Sequence, residues 1–175
     1  MSPGCLPENA PLKADCLNTQ LGQILAVANA SAIRLLEFVD CRALPNALAR
    51  LQLQAGCGLG IGRGAVSAQL RAELAQYFNK TQPWFEVPVI QHGTAFERTV
   101  WAAFCDIPMG QTSSFGAFAA GLGKLAAALA VARASGTNVL AIVVPCHWVM
   151  SVDGALASYS GGRWRKRRLL EIEAP

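Results

Sequence analysis

The residues with the clearest chemistry are a cysteine and a histidine that follow one another. Cys146 and His147 come after Pro145, at the end of the uninterrupted apolar run of residues 140–144. Thiolate is the nucleophilic form of cysteine, and an imidazole backed by a carboxylate favours the thiolate and fixes the imidazole tautomer. The pair therefore predicts an activated cysteine, and the alternative is a buried cysteine beside an unrelated surface histidine.

The backbone at this pair needs a particular geometry. Adjacent residues in a strand point to opposite faces, and adjacent helical residues do not meet. His147 can therefore receive the Cys146 proton only across a turn or through a bridging water. Residues 140–144, which read LAIVV, predict a buried strand that leads into the pair.

The remaining cysteines give no comparable signal. The chain has six cysteines and two histidines without a Cys-x-x-Cys pair, which excludes a zinc finger and a thioredoxin-like motif. We expect no metal, although a site built from Cys5, Cys16 and His92 stays open. The other three cysteines outside the pair are predicted to be small buried hydrophobes. They are Cys41, Cys57 and Cys105.

Composition limits the class of protein. The chain has 175 residues, of which 53% are hydrophobic and 15% charged, with a net charge of +4. This excludes disorder and predicts one domain or two small ones, while the modest charge does not establish a nucleic-acid partner. The apolar runs fall short of the roughly 18 residues that span a bilayer. We expect a monomer in the cytoplasm, or in the nucleus of a eukaryote, without a membrane partner.

The first half of the chain predicts a meander followed by helices. Helical periodicity covers residues 43–53 and 65–78, and the glycine-rich segment 56–64 between them matches a flexible linker better than a phosphate loop. Residues 83–89 predict a strand or extended connector. Three short β-type runs separated by turn residues predict the antiparallel meander. They are residues 15–17, 22–28 and 33–39.

The second half is predicted to be mainly helical, with a domain boundary that gives units 1–92 and 93–175. Residues 115–122 and 124–134 form a helix, a glycine-containing turn and a second helix, which is a helix–turn–helix or an ordinary helical hairpin. A short helix at 169–173 closes the chain. The basic run 163–168 before it is expected to be a solvated face.

A series of motifs across residues 93–173 resembles the O6-alkylguanine-DNA alkyltransferase family, also called methylated-DNA–protein-cysteine methyltransferases. The motifs occur in order and at the family's spacing. They are Gly93-Thr94-Ala95-Phe96 with Val100-Trp101, Ile107-Pro108-x-Gly110, Ser114-Phe115-Gly116, Asn138, Val144-Pro145-Cys146-His147-x-Val149, Tyr159-Ser160-Gly161-Gly162 and Arg165-Lys166-Arg167-x-Leu169-Leu170-x-x-Glu173.

The resemblance implies an α+β fold, with a ribonuclease-H-like N-terminal domain and a C-terminal domain that carries a winged helix–turn–helix. It also implies a single-turnover transfer of an alkyl group from guanine O6 to the Cys146 sulfur, without a cofactor. By similarity, the cysteine proton passes through a water to His147, which is backed by Glu173. Asn138 by similarity orders the turn before the cysteine.

The resemblance further implies which residues hold the base. The carbonyl groups of Cys146 and Val149 receive the exocyclic amine, and Tyr159 and Ser160 line the pocket near O6. The substrate is O6-alkylguanine in duplex DNA, and the target base must leave the stack for the reaction.

Three positions depart from the family pattern where DNA or the base is handled. Leu129 replaces the arginine that fills the place of the extruded base, and Phe115 replaces an aromatic residue with a hydroxyl. Trp148, which we group with the substrate-binding residues, replaces the arginine that usually follows the histidine. Lys124 and Arg133 are left as the cations flanking the predicted recognition helix. Since phosphate contacts supply most non-specific affinity, DNA binding is expected to be weakened.

Four functions are compatible with this pattern. The first is suicide repair of O6-alkylguanine, a stoichiometric methyltransferase activity. The second is a self-labelling tag derived from the family that reacts with free benzylguanine. A lesion-binding protein that does not react is disfavoured because Cys146 is present, and a cysteine hydrolase would show multiple turnovers.

Overall fold

The computed structural model describes residues 11–151, 154–157 and 159–174, apart from the side chain of Leu125. The chain divides into two compact units, Met1–Gln91 and His92–Pro175. Among the described residues, no helix combines the length and apolar character needed to cross a membrane.

The described residues of the first unit form a four-stranded sheet and two helices. In chain order the elements are β1 (Leu12–Thr19), β2 (Gly22–Ala28), β3 (Ile33–Phe38), α1 (Leu44–Ala55), β4 (Leu59–Ile61) and α2 (Ala65–Phe78). The sheet order is β3-β2-β1-β4, in which β1 pairs antiparallel with β2 and β2 antiparallel with β3. This confirms the predicted meander.

The glycine-rich segment of this unit is not simply a linker. Residues Leu59–Ile61 form β4, which pairs parallel with β1, so the linker prediction for residues 56–64 is wrong at its centre. A three-residue strand carries almost no local signal, because its hydrogen bonds come from a distant segment. Further along, the Ile33 N–H donates to the Pro88 carbonyl over 2.8 Å, so residues 83–89 end as an extended connector beside β3.

The second unit consists mainly of helices. Two short strands pair in parallel, β5 with β6. Two single-turn 3₁₀ helices, Leu125–Ala127 and Cys146–Trp148, lie before α5 and before β6. In chain order the elements are α3 (Ala95–Phe104), β5 (Ser113–Ser114), α4 (Phe115–Gly121), α5 (Ala128–Gly136), β6 (Val149–Met150) and α6 (Arg163–Glu173).

Side-chain caps fix where α3 and α4 begin. The Thr94 hydroxyl accepts from the Glu97 N–H over 3.2 Å, and the Glu97 carboxylate accepts from the Thr94 N–H over 2.8 Å. This reciprocal pair satisfies N–H groups that the first turn of a helix leaves without partners. The Ser114 hydroxyl accepts from the Ala117 N–H over 3.1 Å and so caps the start of α4.

Helices α4 and α5 form the predicted helix–turn–helix outline. The turn contains Gly123 with φ +68°, a left-handed conformation that favours glycine. The indole N–H of Trp101 in α3 donates to the Ala134 carbonyl in α5 over 2.7 Å. The rings of Phe104 and Phe118 lie 4.8 Å apart, so α3 packs against both helices of the pair.

Three sequence predictions fail in the second unit. Residues 140–144 are buried as predicted, except for the half-buried Val143, but they form a turn instead of a strand. The last helix begins at Arg163 rather than at 169, so the basic run lies on α6. Arg165 and Lys166 in that run are buried, which contradicts the expected solvated face.

Candidate active site

A tight turn held by Asn138 leads into the cysteine. The Asn138 carbonyl oxygen accepts from the Leu140 N–H over 3.0 Å. Its amide nitrogen donates to the Val144 carbonyl over 3.1 Å and to Cys146 Sγ over 3.2 Å. One side chain thus closes the turn at both ends and contacts the sulfur. Because a donor to sulfur favours thiolate over thiol, Asn138 also contributes to the chemistry of Cys146.

The turn itself contains an unusual backbone conformation. Ile142 is buried and has φ +70°, a region that β-branched residues rarely adopt. Such a conformation persists only where the surroundings hold it, and strained positions of this kind concentrate at functional sites. The Val144 N–H bond to the Leu140 carbonyl, at 2.9 Å, closes the turn around Ile142.

His147 is held by a carboxylate from the last helix. Nε2 lies 2.9 Å and 3.0 Å from the two carboxylate oxygens of Glu173, and the His147 side chain is fully buried. A carboxylate can only accept, so Nε2 carries the proton when Glu173 is ionised. Nδ1 is then the basic nitrogen, and it is buried without a hydrogen-bond partner within the described part of the chain.

Cys146 and His147 share the 3₁₀ helix Cys146–Trp148, so the chain turns where the sequence analysis required it. Cys146 is 4% exposed. The structure therefore brings together Asn138, Cys146, His147 and Glu173. Within this unit they form one buried cluster of a thiol, an amide, an imidazole and a carboxylate.

Lys166 is a member of this site that the sequence analysis missed. Its side chain is 1% exposed, and Nζ donates to the Val149 carbonyl over 2.6 Å. Burial lowers the pKa of this ammonium, and the negative charge of Cys146 raises it in part. The signal was present in the sequence, because Lys166 and Glu173 are seven residues apart and so share one face of a helix.

Two of the residues predicted to hold the base, Val149 and Tyr159, contact this cluster. The Val149 N–H donates to the Cys146 carbonyl, so each of the two predicted acceptor carbonyls accepts a hydrogen bond from within the protein. The Tyr159 ring lies edge-on to His147 at 6.2 Å. Ser160 is half-buried, as is Phe115 at the start of α4.

Trp148 makes a contact that its grouping with the base did not anticipate. Its indole N–H donates to Glu173 Oε2 over 2.6 Å. The carboxylate that holds His147 is therefore shared by two consecutive residues of the same 3₁₀ helix.

The predicted DNA-contacting residues lie on the exposed side of the helix–turn–helix. Leu129 in the first turn of α5 is 65% exposed, and Arg133 in its last turn is exposed. Lys124 precedes the 3₁₀ turn, with Nζ 5.6 Å from the centre of the Phe96 ring. The two cations thus flank an apolar stretch, as the sequence indicated.

The open metal site gains no support from the part of the chain that is described. Cys5 lies outside the described residues, Cys16 is exposed on β1, and His92 is exposed in the second unit. No group of three or more potential metal ligands occurs among the described residues.

Comparison with known proteins finds relatives of one family. A family model for the DNA-binding domain of 6-O-methylguanine DNA methyltransferase matches residues 95–175. A methylated-DNA–protein-cysteine methyltransferase of Mycobacterium tuberculosis is 45% identical over 101 residues, 58% of this chain and 61% of the relative. One from Methanosarcina barkeri is 30% identical over 159 residues, 91% of this chain and 95% of the relative. The crystal structure of M. tuberculosis OGT in complex with DNA has a TM-score of 0.79 at 31% identity, covering 95% of this chain and 96% of that chain.

Fold and site together define an α+β protein with a buried Cys–His–Glu cluster and a helix–turn–helix in one unit. The chain belongs to the methylated-DNA–protein-cysteine methyltransferase family. The predicted fold class is confirmed by the structural similarity. In the matches at 43–45% identity, the aligned region spans between 31% and 61% of the relative's own length.

Proposed function

We propose that this protein transfers an alkyl group from O6 of guanine to its own Cys146 in a single turnover. The observation that carries the proposal is the cluster itself: an amide donor on Sγ, and beside it an imidazole whose Nε2 is held by Glu173. The names of the relatives support the same reaction.

The reaction needs only groups that the cluster supplies. His147 Nδ1 takes the Cys146 proton through a bridging water, and Glu173 stabilises the imidazolium that forms. The sulfur then attacks the alkyl carbon, so a C–S bond forms while the C–O6 bond breaks. The leaving guanine anion takes up the proton that Cys146 gave to His147, and the guanine becomes neutral. The thioether is stable, so the protein is consumed and no cofactor takes part.

The proposed natural substrate is O6-alkylguanine in duplex DNA. A solved relative is in complex with DNA, and the helix–turn–helix of this chain presents one exposed helix between two cations. A base inside a duplex cannot reach a buried sulfur, so it must be extruded from the stack. Leu129 and Phe115 offer no charge and no hydroxyl for that step, and DNA affinity is accordingly weak.

A second candidate function follows from the same exposed, uncharged Leu129. A chain with an intact thiol site and a poor DNA face can act as a self-labelling protein that prefers free benzylguanine. The two candidates differ in substrate and share the chemistry at Cys146. A protein that binds lesions without reacting and a multiple-turnover hydrolase both predict no stoichiometric adduct.

The proposed reaction also fixes the conditions in which the protein works. A nucleophilic thiol must stay reduced, which the cytosol and the nucleus provide. We therefore place the protein in the cytoplasm, or in the nucleus if the organism is a eukaryote. All groups named in the reaction come from one unit of one chain, so the proposed active form is a monomer.

Intact-protein mass spectrometry tests the proposal. The protein is mixed with O6-benzylguanine, and separately with a duplex that contains one O6-methylguanine. We expect a single benzyl or methyl adduct and no further turnover. Faster reaction with the duplex identifies a repair protein, and faster reaction with the free base identifies the self-labelling alternative. No adduct with either substrate would refute both.

A further inference from the structure

The indole of Trp148 contacts the carboxylate that orients the proposed proton acceptor. Its Nε1–H donates to Glu173 Oε2 over 2.6 Å, while His147 Nε2 lies within 3.0 Å of both oxygens of that carboxylate. Trp148 is half-buried and its ring stands edge-on to His147, with 5.7 Å between the ring centres. The carboxylate is therefore held from two directions.

The donor at this position is neutral, which matters for the charge of the site. An arginine bound to Glu173 would offset the negative charge that stabilises the imidazolium form of His147. An indole N–H restricts the rotation of the carboxylate and leaves its charge in place. Of the two buried cations of α6, Lys166 donates to the Val149 carbonyl and Arg165 to the Gly161 carbonyl.

We propose that Trp148 is a positioning residue, whose indole N–H holds Glu173 in the orientation that keeps His147 Nδ1 basic. Trp148 then acts on the nucleophilicity of Cys146 through Glu173 and His147. This role rests on the proposed function and differs from the substrate contact that the sequence suggested, because it operates even when no guanine is present.

The test uses a thiol reagent that does not depend on guanine recognition. The second-order rate of iodoacetamide with Cys146, followed by peptide mass spectrometry, is measured in the native protein and in Trp148→Phe and Trp148→Tyr. We expect Trp148→Phe to lower the rate by roughly tenfold. This is the lower end of the loss of activity seen when partners that orient metal-binding side chains are removed. Trp148→Tyr should lose less, because its hydroxyl can still donate.

A matched control is available in the first unit. Trp84 also donates its indole N–H to a glutamate, Glu86, over 3.3 Å, but on the surface. Trp84→Phe should therefore leave the Cys146 rate unchanged. Circular dichroism of every variant checks that the fold is retained.

Combination with Glu173→Gln separates this role from a purely structural one. If Trp148 acts through the carboxylate, Trp148→Phe should lower the iodoacetamide rate by less than about threefold in the Glu173→Gln background. The reason is that effects of residues that act as a unit are not additive. Equal costs in both backgrounds would overturn the proposal. So would a loss confined to the rate with O6-benzylguanine, because that result assigns Trp148 to the substrate. Failure of the native protein to react with any guanine substrate, with these iodoacetamide results unchanged, would refute only the proposed function.

Discussion

At the scale of single residues, the described thiols differ in what surrounds the sulfur. Asn138 donates to Cys146, whereas burial raises the pKa of both Cys41 and Cys105, and Glu37 and Asp106 add to these increases. Cys105 is exposed as a residue, but its thiol turns back to donate to the Trp101 carbonyl at 3.6 Å.

We predict that Cys146 takes up the alkyl group selectively near neutral pH, because its surroundings favour thiolate whereas those of Cys41 and Cys105 favour thiol. Peptide mapping after reaction with O6-benzylguanine measures the site. Cys146→Ser should abolish labelling without loss of the fold. An adduct found mainly on Cys105 would contradict the assignment.

We also predict that Glu173→Gln slows alkylation strongly and leaves binding of free guanine nearly unchanged. Without the carboxylate, neither the tautomer nor the imidazolium form of His147 is stabilised, and loss of such a partner can cost roughly a hundredfold or more in rate. Single-turnover kinetics at increasing base concentration separate the rate constant from the affinity. An unchanged rate constant would show that Glu173 is only a structural contact and takes no part in alkyl transfer.

At the scale of elements, the proposed contact with duplex DNA depends on α5. This helix presents Leu129 near its N-terminus and Arg133 in its last turn, and the uncharged Ala130 and Gly136 are exposed as well. We predict that Leu129→Arg raises the rate on an O6-methylguanine duplex by about tenfold, as one added charged contact would. The rate on free benzylguanine should barely change, and addition of Phe115→Tyr should increase the gain on the duplex.

Salt provides a control for this prediction. The increase in rate that Leu129→Arg gives on the duplex should shrink as the salt concentration rises, because a new phosphate contact releases counterions on binding. The rate on the free base should not respond in that way. If the native protein already reacts faster with the duplex than with the free base, or if Leu129→Arg raises both rates equally, the leucine is sufficient for extruding the base. The hypothesis that DNA binding is weakened is then wrong.

Two elements show which parts of the fold a local sequence pattern can predict. Helix α2 follows from Val66, Leu70 and Leu74 at helical spacing, and the structure has it at the predicted bounds. The run at 140–144 is different, because five consecutive apolar residues indicate burial without showing whether the chain is extended or turned. The side-chain hydrogen bonds of Asn138 and the left-handed conformation of Ile142 determine the turn, and the apolar run shows neither of them.

The candidate site was predicted better than the path of the chain through it. Cys146, His147, Glu173 and Asn138 were named from motifs, and the structure brings them together. Lys166 was missed because a basic run is normally solvated, and only the true start of α6 places this lysine on the buried face beside Glu173. The donation from Trp148 to Glu173 could not be predicted, since it depends on the path of a 3₁₀ turn.

At the scale of the whole molecule, the proposed reaction changes the charge of a buried core. Lys166 lies in the folded unit with a pKa below its ordinary value of 10.5, because burial lowers it more than the Cys146 charge raises it. Between the folded pKa and 10.5 the unfolded chain binds more protons at this residue, so the contribution of Lys166 to stability rises with pH across that window. Wherever Cys146 is ionised, alkylation removes this negative charge, and the pKa of Lys166 then falls further.

We therefore predict that the methylated protein unfolds at a lower temperature than the unmodified protein. The shift should be about 2–4 °C for each kcal/mol by which the free energy of unfolding falls. The difference should narrow above pH 10.5, where Lys166 is neutral in both forms, and at acidic pH, where unmodified Cys146 carries no charge either. Thermal unfolding of both forms across pH, with the methylation state checked by intact mass, measures it. In Lys166→Met the difference should largely disappear, since this variant lacks the buried ammonium whose charge Cys146 offsets. The same difference in that variant would trace the destabilisation to the volume of the added methyl group, and an unchanged unfolding temperature in the native sequence would show that the Cys146 charge contributes nothing to the fold.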